Sequence, residues 1–113
     1  MVRVEYATMV LLSDATWERV KRLFPAEKWV VVEQLLTEEC ADNLPRCQDS
    51  TPERLERIRF AVLKLSHGSM DRLRHAIVLA KRDWRDILMG AGFGHDIHAH
   101  EQWWPEESGP GAE

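Results

Sequence analysis

Residues 51–90, TPERLERIRFAVLKLSHGSMDRLRHAIVLAKRDWRDILMG, decide the fold. Thr51 is a good acceptor for exposed backbone N–H groups, Pro52 suits the first helical position, and Glu53 complements the positive end of a helix dipole. A helix therefore starts here, and Leu55, Ile58, Val62 and Leu65 trace its apolar stripe. Gly68 supplies a left-handed stop, and Ser69 with Asp71 opens a second helix at once. In that second helix Met70, Leu73, Ala76, Ile77, Ala80, Trp84, Ile87 and Leu88 follow steps of three and four for some five turns. So short a connection predicts an antiparallel helical hairpin over residues 52–89.

Toward the N-terminus, Ser13 and Asp14 are capping residues, and Trp17, Val20, Leu23 and Phe24 have the spacing of one helical face. This predicts a helix over 14–24, ended by Pro25, because the residue before a proline disfavours helical geometry. A further helix is expected from Ala26 to Cys40, with Trp29, Val32, Leu35 and Leu36 on a shared side. Residues 41–51 collect Asp, Asn, Pro and Ser and read as a loop. At the start of the chain Val2, Val4 and Tyr6 alternate with Arg3 and Glu5, the pattern of a short strand or an extended arm.

Beyond the hairpin, Gly90, Gly92 and Gly94 end the last helix, and the rest of the chain reads as polar, acidic and frayed. The expected architecture is all-α: a four-helix array or bundle of two consecutive hairpins, with an N-terminal arm and an acidic tail. One helical domain spans 1–104, with a disordered tail over 105–113. The chain of 113 residues, 44% hydrophobic and 30% charged, is large enough to bury one core without metals or disulfides.

Composition narrows the setting as well. Arg3 and Glu5 interrupt the first apolar residues, and no apolar run approaches the roughly 18–20 residues of a bilayer span, so a soluble, cytoplasmic protein without membrane partners is expected. Cys40 and Cys47 match neither a redox pair nor a zinc knuckle and read as free thiols. Charge is uneven: residues 1–51 carry net −3, residues 52–89 net +4 and residues 90–113 net −5. A basic hairpin flanked by acid suggests attraction within the chain or between subunits at least as readily as attraction to nucleic acid.

Residues 56–68, ERIRFAVLKLSHG, followed by Asp83-Trp84-Arg85-Asp86 and Ala91-Gly92-Phe93, resemble a group of small bacterial helical proteins that carries no assigned activity. The resemblance covers about the last half of the ordered chain. It implies a bacterial, single-domain, helical protein and transfers no functional residues.

Chemistry concentrates in His95-Asp96-Ile97-His98-Ala99-His100-Glu101, which offers imidazole and carboxylate ligands suited to zinc. His95 and His98 share a face if the segment is helical; His98 and His100 do so if it is extended. The spacing selects neither, and a solvated or packing role is the simpler expectation. Asp83 and Asp86 lie within pairing range of Arg82 and Arg85, so a surface ion-pair set around Trp84 accounts for them. No Gly-x-Ser-x-Gly elbow and no phosphate-binding glycine loop occurs. Arg54, Arg57 and Lys64 line one stripe of the hairpin and Arg74, Lys81 and Arg85 another, but an isoelectric point near 5.7 argues against a nucleic-acid reader.

Five tryptophans exceed what this core needs, and Trp103 and Trp104 follow the last expected helix. They either fold back on the hairpin or dock on a partner. The functional expectation is a non-catalytic interaction or regulatory module that self-associates, with metal binding and nucleic-acid binding as alternatives.

Overall fold

The computed structural model describes residues 12–40 and 51–105. Expectations for Val2, Val4 and Tyr6, for the loop up to Ser50, for Cys47, and for the tail from Glu106 onward lie outside the described residues.

Four helices build an all-α array: α1 over Asp14–Leu23, α2 over Trp29–Glu39, α3 over Pro52–Ser66 and α4 over Met70–Gly90. No strand occurs among the described residues. Three of the helix starts follow the capping chemistry legible in the sequence. Ser13 Oγ accepts from Thr16 N–H at 3.1 Å, Thr51 Oγ1 from Arg54 N–H at 3.1 Å, and Ser69 Oγ from Arg72 N–H at 3.3 Å. Phe24 is extended before Pro25, and residues 26–28 form a single 3-10 turn, so the helix expected from Ala26 begins at Trp29.

α3 is the central element. Its residues 58–63 are all buried, far more than the single stripe of Leu55, Ile58, Val62 and Leu65 requires. Burial all round arises because α4 covers one side, α1 another, and the chain after α4 a third. α1 packs on α3 more extensively than on α2, so the first two helices form a looser pair than α3 and α4.

The α3–α4 connection differs in one detail from expectation. The left-handed residues are His67 (φ 51°) and Gly68 (φ 82°), so a histidine shares the stop assigned to glycine alone. Ser66 Oγ accepts from Gly68 N–H at 3.1 Å and steadies the turn.

α4 is not straight. Asp83 is extended (φ −163°, ψ 101°), and its Oδ1 accepts from Arg85 N–H at 3.1 Å, so it caps the second stretch of the helix. The chain doubles back there. Trp84 lies against Arg54 at the start of α3, whereas Gly90 approaches Leu65 and Ala91 O accepts from Lys64 Nζ at 2.8 Å, near its end. A continuous 21-residue helix would carry Gly90 about 30 Å away from Met70. The apolar period conceals the break, since Trp84, Ile87 and Leu88 pack inward on either course.

A left-handed Gly92 (φ 83°) then closes α4, with Gly92 N–H donating to Met89 O at 3.0 Å and Phe93 N–H to Leu88 O at 2.8 Å, the paired bonds of a Schellman stop. Residues 91–105 do not fray. Ala91, Phe93, His100 and Pro105 are buried, and Ala99–Gln102 form a 3-10 turn.

Candidate functional site

The return segment, residues 91–105, is held by cations that reach backbone carbonyls. Arg19, on α1 and only 2% exposed, donates from Nε to Trp103 O at 3.0 Å, from Nη1 to Ala15 O at 2.9 Å and from Nη2 to Glu101 O at 3.5 Å. Its guanidinium carbon lies 4.1 Å from the centre of the Phe60 ring and 3.5 Å from that of Trp104, a cation between two aromatic faces. Burial pushes the Arg19 pKa down, and Glu56 opposes that shift. A guanidinium keeps its proton in any case, so the charge stays and the carbonyls satisfy it.

The same device recurs along α3. Arg57 Nη2 donates to Phe93 O at 2.6 Å, and Lys64 Nζ donates to Ala91 O while lying 5.0 Å from the centre of the Phe93 ring. Arg59 Nε donates to Leu36 O at 3.2 Å and Cys40 O at 3.0 Å, capping α2 from the side. Two members of the expected outer basic stripe, Arg57 and Lys64, thus serve the protein's own backbone. Lys81 pairs with Glu39, and Arg85 with Asp83 at 3.0 Å. This leaves less cationic surface for a polyanion than the sequence implies.

The late histidines separate. His95 and His98 are exposed, and His98 Nδ1 pairs with Glu101 Oε2 at 3.1 Å, which raises the His98 pKa. His100 lies inside, 3% exposed, with its ring edge-on to Phe60 at 5.1 Å and to Phe93 at 6.2 Å. Its Nδ1 is buried without a hydrogen-bond partner, and desolvation pushes its pKa down. Among the described residues no group of three His, Cys, Asp or Glu side chains is placed to hold a metal ion.

The two late tryptophans also divide. Trp103 is partly buried against Phe60 at 6.2 Å and Phe93 at 6.4 Å, whereas Trp104 stays 45% exposed over Arg19, with the Arg22 guanidinium 4.8 Å from its ring centre. Five large apolar side chains stand exposed among the described residues, and three of them, Met89 at 72%, Ile97 at 64% and Trp104, lie between residues 89 and 104. Comparison with protein-family models, with curated proteins and with solved structures returns no match. No helix is long and apolar enough to cross a membrane among the described residues.

Arg19 is the residue that sequence reading passed over. The buried positions of α1 are Thr16, Arg19, Val20 and Leu23, themselves a helical face. A charged residue at the centre of that face was its one available signal.

Proposed function

We propose that the protein is a non-catalytic interaction module that self-associates through the surface of residues 89–104. The observation that carries this reading is the concentration of exposed apolar side chains, Met89, Ile97 and Trp104, on a segment that is itself anchored. Anchoring matters because a surface already fixed before contact loses little conformational freedom on binding. Trp104 with Arg22 over its ring has the aromatic and cationic composition of interface centres. A second copy of the chain is the simplest partner, since homo-oligomers with a self-complementary patch are common. The setting proposed with it is the reducing cytoplasm of a bacterium.

Analytical ultracentrifugation over about a hundredfold range of concentration tests the reading, because association must follow mass action. The expected result is a dimer that dissociates on dilution, and a monomer at every concentration for the Ile97→Ser, Trp104→Ala double variant with its helical signal retained. A wild-type chain that stays monomeric throughout overturns the proposal.

A further inference from the structure

On α1, Asp14, Trp17, Glu18 and Lys21 fall at successive spacings of three, one and three residues, which places all four on one helical face. Opposite them stands Trp29, the first residue of α2, and together the five line an open cleft of about 420 Å³. Neither tryptophan is consumed by the core, since both are only partly buried against it. The Trp29 ring is fixed in place because its Nε1 donates to Phe24 O at 2.8 Å, so its orientation does not depend on a ligand. Asp14 and Glu18 are exposed, and neither has an ion-pair partner among the described residues. The chain already places one cation beside this ring: Lys21 Nζ lies 5.8 Å from the Trp29 ring centre.

We propose that the Trp17–Trp29 cleft binds an organic ammonium ion, its charge held against the indole faces and the carboxylates of Asp14 and Glu18. The chemistry selects this class over others. Indole faces carry negative quadrupole potential and favour weakly hydrated cations, with tryptophan the best of the aromatic residues for this purpose. Two carboxylates against one ammonium give the lining a net negative charge, which disfavours anionic ligands. The volume falls within the range of small-molecule sites. Lys21 acts as an internal competitor: an incoming ammonium displaces its flexible side chain toward solvent, where the charge is rehydrated.

Choline and its neutral isostere 3,3-dimethylbutan-1-ol, titrated into the full chain while the indole Nε1–H signals are followed by NMR, test the site. Choline is expected to shift the Trp17 and Trp29 signals saturably, the alcohol to bind roughly tenfold more weakly or not at all. Lys21→Met is expected to tighten choline binding severalfold by removing the competing charge, whereas Asp14→Asn with Glu18→Gln weakens it. Trp29→Leu is expected to abolish the response. Trp29→Phe retains an aromatic face and keeps a weaker one, which separates loss of the site from loss of the fold. Equal binding of choline and the alcohol, a response unaltered in Trp29→Leu, or no saturable shift up to about 50 mM choline overturns the proposal.

Discussion

Single residues carry strain and charge that their types alone do not announce. His67 is exposed and left-handed (φ 51°), a conformation that costs a non-glycine residue about 1 kcal/mol and glycine almost nothing. His67→Gly is therefore expected to stabilise the fold by up to about 0.5 kcal/mol in denaturant unfolding, the greater freedom of unfolded glycine cancelling at least half of the relief. Arg19→Lys keeps the charge and loses the planar stacking between Phe60 and Trp104 together with the forked carbonyl bonds; a destabilisation of about 2–3 kcal/mol is expected from the same measurement. His100 brings a pH dependence. Burial lowers its folded pKa below the unfolded value of about 6.5, so its contribution is fully present above that pH and is lost as pH falls through the folded pKa. His98, raised by Glu101, has the opposite sign, but both partners are solvent-exposed and the effect is screened. Thermal unfolding should thus occur at lower temperature at pH 5 than at pH 7.5, and His100→Phe should narrow that difference. A wild-type midpoint that rises on acidification would contradict the assignment.

Helices were legible where local chemistry and burial agree. Thr51-Pro52-Glu53 and Ser69 set the starts of α3 and α4 as their sequence implies, because a cap depends only on neighbours a turn away. The reversal within α4 was not legible, because the inward positions of Trp84, Ile87 and Leu88 continue the period of Met70, Leu73 and Ala76 across it. Asp83 was read as one of an ion-pair set; it does bond Arg85, yet it also ends one helical stretch and caps the next. Asp83→Ala removes that cap and is expected to destabilise the fold by about 1 kcal/mol, whereas Asp83→Asn, which keeps an acceptor, should cost only a fraction of this in the same urea titration. Equal losses for the two variants would show that charge, not capping, is what Asp83 contributes. Residues 91–105 were read as frayed for a related reason: their anchors are long-range bonds from Arg19, Arg57 and Lys64, and no local pattern records a partner 27 to 84 residues away.

At the scale of the whole molecule, Arg19 of α1 and Arg57, Arg59 and Lys64 of α3 turn inward to backbone carbonyls, and Met89, Ile97 and Trp104 turn outward. That inversion changes what the basic hairpin means. The sequence suggests a cationic face drawn to acid within the chain or on a second copy, but Arg57, Arg59 and Lys64 organise α2 and the return segment from within. Trp103 and Trp104, singled out together by their position, then take different parts: one braces the core and the other remains half in solvent. The late histidines divide in the same way, His100 inside and His98 at the surface, since a 3-10 turn over Ala99–Gln102 points neighbouring residues in different directions. Contact through residues 89–104 predicts which amides become shielded on association. Hydrogen exchange of the wild-type chain at high and low concentration, resolved by peptide, reads this directly. Slower exchange at high concentration confined to residues 89–104 is the expected result; a concentration effect at Arg72–Val78 instead, or none anywhere, would contradict the account.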